Sequence, residues 1–248
     1  MIIKPQVTNE NEFGLSSLQT QMAKQKSIAS TVFEYMDDFV LEANSGDDLT
    51  RRYVVTQLTG GGAVTHEAAN GGVILIDAGN ASDNNGVGSA QPDSNGIVVP
   101  AAGRNIYCEM RVERTVQSGG QFFGLGEVDT TFVTASHLGA PAIGFVCDAG
   151  SSAITVLDTV TTTTATANDS ETVTAGVVTG MSDADKFRTY GIEIIGTGEV
   201  RFYVDRSLVA THTANISTNA LVPSFASVNS TTTRSKLKVD YVYIVSDR

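Results

Sequence analysis

The run Asn105-Ile-Tyr-Cys-Glu-Met-Arg-Val-Glu-Arg114 alternates apolar with polar side chains at a period of two, not at the 3.6 of a helix. That period belongs to a β-strand with one face turned inward. Ile106, Cys108, Met110 and Val112 are expected in a core, and Tyr107, Glu109, Arg111 and Glu113 in water. The rest of the chain has to be compatible with a sheet of this kind.

It is, from about residue 34 onward. Val32 to Glu42 reads as an opening strand, Arg51 to Leu58 as one that ends at Gly60-Gly61-Gly62, and Gly72 to Ala78 as a third, before a turn-rich stretch from Gly79 to Asn95 that reads as a loop. Phe122 to Val128 and Ala142 to Cys147 are more continuously apolar and so are expected at the centre of the fold. Ser152 to Val160 follows, and the threonines from Thr161 to Thr166 suit a long surface hairpin. Phe187 to Ile195 turns at Gly196-Thr-Gly198 into Glu199 to Asp205, a hairpin with a glycine-bearing turn. Leu208 to Ala214, Leu221 to Val228 and Ser235 to Val245 complete the series. So many short strands joined by turns, in a chain rich in Thr, Val, Ser and Gly, indicate an all-β sandwich over residues 34–248.

Residues 1–33 differ. Leu15, Leu18 and Met22 fall at mixed helical spacings beside the polar run Asn9-Glu-Asn-Glu12. Such a segment cannot bury enough apolar surface to fold alone, so it is expected to be an extended, partly helical arm that is disordered or orders on a partner. Met1 to Gln6 carries no apolar signal-peptide core, and nowhere do about 18 apolar residues run together, so neither secretion nor membrane insertion is expected. Cys108 and Cys147 lie in apolar runs and read as buried free thiols, suited to a reducing cytoplasm. With 16 Lys+Arg against 27 Asp+Glu, the net charge of −11 argues against direct nucleic-acid binding.

The closing run Leu237-Lys-Val-Asp240-Tyr241-Val-Tyr-Ile-Val resembles the last strand of concanavalin-like jelly-roll sandwiches. The pair Tyr190 to Ile195 and Val200 to Asp205 resembles the hairpin of laminin-G and glycanase-like sandwiches. The order Asp37-Asp38-Phe39, Gly71-Gly72-Val-Ile-Leu, Phe123-Gly-Leu-Gly-Glu-Val-Asp129-Thr130-Thr and Ile143-Gly-Phe is similar to tailed-bacteriophage virion proteins with a lectin-like domain, including capsid decoration (cement) proteins. This resemblance implies a non-enzymatic structural protein on the capsid surface of a virion, assembled in the host cytoplasm. Its partner would be the major capsid protein, with the chain a homo-oligomer that stabilises contacts between shell subunits. The arm residues Ile2, Ile3, Phe13, Leu15, Leu18 and Met22 would make the contact. The alternative is a carbohydrate-binding, lectin-like module of a virion or tail fibre, with the loops 79–95 and 161–170 touching glycan; a divergent glycoside hydrolase is a third reading.

For hydrolysis, Glu127-Val-Asp129 resembles the start of the Glu-x-Asp-x-x-Glu motif of laminarinase-type glycanases. The third carboxylate is replaced by Phe132, and the chain has no Trp to stack on a sugar. His66, His137 and His212 stand in unrelated contexts without a Gly-x-Ser-x-Gly elbow, so no catalytic residue is assigned. No organic cofactor is expected, and Gly60-Gly-Gly lacks the Lys-Ser/Thr of a phosphate loop. Calcium is the one metal the oxygen ligands suit, with Asp38, Asp83 and Asp240 as candidates beside Asp37, Asp47 and Asp48. Asp83 also reads as an ordinary Asx turn. Gly124, Gly126 and Gly144 are strand glycines, which usually mark bulges or close backbone approach, and they are assigned to sandwich curvature.

Overall fold

A computed structural model of the chain describes residues 32–39, 53–57, 63–67, 72–79, 87–92, 96–114, 120–128, 133–134, 137–138, 141–147, 155–159, 168–172, 186–229 and 235–247. Among them there is no helix. The strands are β1 (Val32–Asp37), β2 (Tyr53–Gln57), β3 (Ala63–His66), β4 (Ile74–Asp77), β5 (Val87–Pro92), β6 (Asn105–Arg114), β7 (Gly120–Glu127), β8 (Val133–Thr134), β9 (His137–Leu138), β10 (Ala142–Cys147), β11 (Thr155–Thr159), β12 (Asn168–Thr172), β13 (Arg188–Ile195), β14 (Glu199–Val204), β15 (Ser207–His212), β16 (Leu221–Val228) and β17 (Lys236–Asp247).

They form two antiparallel sheets. The larger runs β15-β14-β13-β6-β17-β4-β3 with β1 also on β17, the smaller runs β12-β11-β10-β7-β16-β5-β2, and β8 pairs with β9. The inner faces meet over one core that draws Ile106, Cys108, Met110 and Val112 from the larger sheet and Phe123, Leu125, Ile143 and Phe145 from the smaller. Aromatic rings close the gap between the sheets: Tyr190 of β13 stands edge-on to Phe123 and Phe145 at 4.6 and 5.0 Å, and Phe145 meets Phe202 of β14 at 5.6 Å. Both cysteines are buried free thiols, as expected. Burial and then the Glu109 carboxylate raise the Cys108 pKa, so this thiol is a packing group and not a nucleophile.

Two local features explain the order of the last third. The β14–β15 turn holds Asp205 and Arg206 at φ 46° and 68°, the two positive values of a tight two-residue hairpin turn. Asp205 anchors that turn by accepting from the Thr189 amide at 3.1 Å and from Arg188 at 2.7 Å. On β17, a bulge at Asp240 lets β4 pair with residues 236–239 and β1 with residues 242–247 along one side of the same strand.

Three expectations need correction. The stretch from Gly79 to Asn95 is not loop throughout, because it contains β5, whose Ala90 faces the core opposite Phe225. β3 is additional to the expected strands; it follows the triple glycine and pairs with β4. The outward side of β6 is not wet: Tyr107, Glu109 and Glu113 are all buried, because phenols and cations lie over the carboxylates. Within the expected strand from Ser152 to Val160 lies β11, which pairs with β12, whereas Thr161 to Thr166, read as a surface hairpin, lie outside the described residues.

Candidate functional site

The two outer faces of the sandwich are the surfaces on which a site could be built. On the smaller sheet, alternation turns Phe122, Gly124 and Gly126 of β7, and Ala142, Gly144 and Val146 of β10, away from the core, since Phe123, Leu125, Ile143 and Phe145 point into it. Gly124 and Gly144 face each other across the strand pair. Their missing side chains make room for the Phe122 ring: a Cβ on Gly144 would meet that ring at 2.8 Å and the Phe123 carbonyl oxygen at 2.7 Å. Close approach, not a bulge, is therefore the reason for these glycines, and the β7–β10 register is unbroken. Beside them Gln91 and Ser224 are buried and joined at 2.8 Å.

Glu127, the sharpest catalytic candidate, ends β7 in the phase of Phe123 and Leu125, the core side of the strand. It therefore does not share a face with Gly124, Gly126 or the outward positions of β10. Its carboxylate accepts from the Asn219 side-chain amide at 3.3 Å, and its backbone carbonyl accepts from Gln91 at 2.9 Å. Asp129 and Phe132 lie outside the described residues. Three segments meet at this rim, because Leu221 pairs with Glu127 on one side and bridges Val98 on the other. Ser217 accepts from the Asn219 amide at 3.1 Å and holds the loop that carries Asn219. Val99 and Val128 are exposed on the same rim. Sequence reasoning missed Asn219, which has no motif and meets Glu127 only through the crossover from β15 to β16.

On the larger sheet the outward positions form a hydrogen-bonded network. Glu109 is only 6% exposed and accepts from Tyr107 at 2.8 Å and from Tyr241 at 2.9 Å. Glu193 accepts from Tyr203 at 2.6 Å and has Arg201 at 3.6 Å. Gly191 leaves the space that the Tyr107 ring occupies, its Cβ position lying 3.1 Å from the Tyr107 hydroxyl. Lys238 bridges Glu67 and Glu113 at 3.1 and 3.3 Å. Desolvation, with the adjacent carboxylates, raises the phenol pKa values, to about 12 for Tyr203 and for Tyr241 and further for Tyr107.

Two of the three calcium candidates lie among the described residues. Asp240 pairs with Arg111, whose guanidinium also lies 4.7 Å from the Phe187 ring centre; Asp38 is exposed at the end of β1; Asp83 lies outside the described residues. Asp37 accepts from the Tyr53 hydroxyl at 2.6 Å and the Phe39 amide at 2.9 Å, which ties β1 to β2 across the core. Among the described residues no three His, Cys, Asp or Glu side chains stand close enough to hold a metal ion. His66 and His212 occupy β3 and β15, opposite ends of the larger sheet, and His212 packs on Phe202. The arm residues Ile2, Ile3, Phe13, Leu15, Leu18 and Met22 lie outside the described residues, as do Asp47 and Asp48.

The sequence matches no family model and no curated protein. Solved structures do match. An endo-1,3-beta-glucanase from Streptomyces sioyaensis aligns at 18% identity over 88% of this chain and 97% of its own, with a TM-score of 0.62. The carbohydrate recognition domain of Emp46p aligns at 12% identity over 85% and 95%, with a TM-score of 0.56. A legume lectin-like domain from Entamoeba histolytica aligns at 10% identity over 85% and 95%, with a TM-score of 0.54. The fold is thus a concanavalin-like jelly roll.

Proposed function

We propose that this chain is a carbohydrate-recognition module that binds glycan without cleaving it. The carrying observation is the composition of the smaller sheet's central strands. A retaining glycosidase needs two carboxyl groups about 5 Å apart and an inverting one about 6.5–9.5 Å. The outward positions of β7 and β10 are Phe, Gly, Ala and Val, and Glu127 stands apart at the strand end beside an amide. A carboxylate next to a carboxamide supplies acceptors and donors for adjacent sugar hydroxyls, and exposed Val99 and Val128 supply apolar contact for a ring face. The lectin and carbohydrate-recognition domains among the structural matches support this reading over shell binding. Shell binding rests on the sequence resemblance and on an arm that lies outside the described residues.

A glycan array carrying β-glucans, mannosides and galactosides tests the proposal. Saturable binding is expected, weakened about tenfold in Glu127→Gln and in Asn219→Ala, since each removes one polar contact of roughly 1.4 kcal/mol. No reducing ends should be released from laminarin. Absence of saturable binding to every glycan would reject recognition, and laminarin hydrolysis would reject the non-catalytic part.

A further inference from the structure

The registers of the larger sheet align six outward positions in one row across six strands: Leu208 on β15, Tyr203 on β14, Gly191 on β13, Glu109 on β6, Tyr243 on β17 and Met36 on β1. Met36 at 61% and Leu208 at 52% are the most exposed large apolar side chains among the described residues, and they stand at the two ends. Tyr203 and Tyr243 lie half-buried inside them, and the buried Glu109 sits at the centre. Read from either end the row is apolar, tyrosine, then the centre.

From this near-palindrome we infer that the outer face of the larger sheet is a self-association surface, and that its occupant is a second copy of this chain. A two-fold axis lying in the interface, along the strands and between β13 and β6, sets Leu208 against Met36 of the other copy and Tyr203 against Tyr243. This is the self-complementary arrangement a two-fold dimer requires. It also offsets the two Glu109 carboxylates by one strand. An axis along the row would instead stack Glu109 on its own symmetry mate, with like charges opposed. Stacked sheets keep their strands within about 30° of each other, which such an axis allows.

Charge favours the same face. The chain carries −11 overall, so two copies repel over most of their surface. Here three carboxylates are paired with cations, Glu193 with Arg201, Asp240 with Arg111 and Glu113 with Lys238, and the charge of Glu109 is buried beneath two phenols. Six strands at about 4.8 Å spacing span roughly 24 Å, and six residues of strand about 20 Å, which gives a patch of about 500 Å² in projection. That is the small end of specific interfaces, so the dimer is weak and concentration-dependent. The inference is independent of glycan binding.

Sedimentation velocity of the full chain, from micromolar to millimolar concentration, tests it with Met36→Lys and Leu208→Glu. Both positions are exposed, and circular dichroism checks that each variant is folded; Met36→Ser and Leu208→Ser replace either charged variant that is not. The wild type should dimerise, more tightly in added salt. Each charged variant alone should associate about tenfold more weakly. An equimolar mixture of the two should recover to within about threefold of wild type, because the introduced lysine on one copy then meets the introduced glutamate on the other while the second contact stays native. Three results would overturn the inference: a wild type that is monomeric throughout, including one that dimerises only once residues 1–31 are removed; a dimer indifferent to both substitutions; or a mixture no tighter than its components.

Discussion

The outer faces of the two sheets solve the same problem in opposite ways. Each belongs to a sheet whose inner side is filled by the common core. On the smaller sheet, side chains were removed: Gly124 and Gly144 leave the space in which the Phe122 ring lies against backbone, buried in a second apolar cluster with Ala142 and Ala226. On the larger sheet, side chains were added and paired, and four of the chain's seven tyrosines, Tyr107, Tyr203, Tyr241 and Tyr243, stand there among carboxylates and cations. The first face depends on shape and tolerates no volume. The second depends on hydrogen bonds and should tolerate isosteres.

The largest effect is therefore expected on the smaller sheet. Gly124→Val places a Cβ against the Ile143 carbonyl oxygen and 2.6 Å from the Gly144 Cα, so the backbone of β10 must move. The expected loss is about 3 kcal/mol or more, read as a lower urea midpoint or failure to accumulate folded protein. A near-neutral result would mean that the strands can separate there, and the contrast with the larger sheet would collapse.

Next in size is Glu109→Ala, which leaves the Tyr107 and Tyr241 phenols without their shared acceptor. A loss of about 2 kcal/mol is expected, as for hydrogen bonds to a charged group. Glu109→Gln keeps one acceptor oxygen and should cost less than half of that. If Glu109→Gln were as damaging as Glu109→Ala, the charge rather than the hydrogen-bond geometry would hold the face together.

That distinction also shows what the sequence could convey. The period-two pattern of β6 located the inner face correctly, because Ile106, Cys108, Met110 and Val112 have no alternative to the core. The same pattern reads Tyr107, Glu109 and Glu113 as wet. Alternation reports which residues are polar, while the burial of the two carboxylates depends on Tyr241 and Lys238 of β17, more than a hundred residues away, besides Tyr107 on β6 itself. β16 was legible at both ends, since Leu221 to Val228 is an uninterrupted run between turn residues. β5 was not, because Val87-Gly-Ser-Ala-Gln-Pro92 is made of turn-forming residues and becomes a strand only through pairing with β2 and β16. At the candidate site Glu127 was legible as a carboxylate at a strand end, whereas Asn219, 92 positions away, was not.

Alkaline titration separates the faces by chemistry. Among the described residues the smaller sheet's outer face carries no tyrosine, so ionisation of an outer-face phenol acts on the larger sheet alone. Tyr203 and Tyr241 have folded pKa values of about 12 against an ordinary value near 10. A raised pKa means that the folded state holds its proton longer than the unfolded chain does. The stabilisation is complete below pH 10 and is lost as the pH rises from 10 through 12. Thermal melts at pH 8, 10 and 11.5 should show a falling Tm, with a shallower fall in the Tyr203→Phe, Tyr241→Phe double variant. An unchanged slope would place the responsible phenols elsewhere, at Tyr107 or Tyr243 on the same face or at Tyr53 or Tyr190 in the core, whose pKa values burial also raises.

The smallest effect should come from the exposed edge of the same network. Arg111 pairs with Asp240 at the β17 bulge and covers the Phe187 ring, but its side chain is 43% exposed. Water screens an ion pair in that position, and exposed pairs contribute about 0.5 kcal/mol. Arg111→Met keeps a long side chain over Phe187 while removing the charge, so it isolates the electrostatic part. A change of about 0.5 kcal/mol or less is expected, shrinking further in high salt. Removing Arg111 also releases the Asp240 carboxylate, the calcium candidate of the terminal strands. If that carboxylate were a calcium ligand, added calcium would raise the Tm of Arg111→Met more than that of the wild type. With no cluster of metal-ligating side chains among the described residues, equal and negligible calcium responses are expected in both proteins. A selective rise in the variant would mean that Arg111 occupies the place of a cation, and the weakest contact on the face would then be its most informative one.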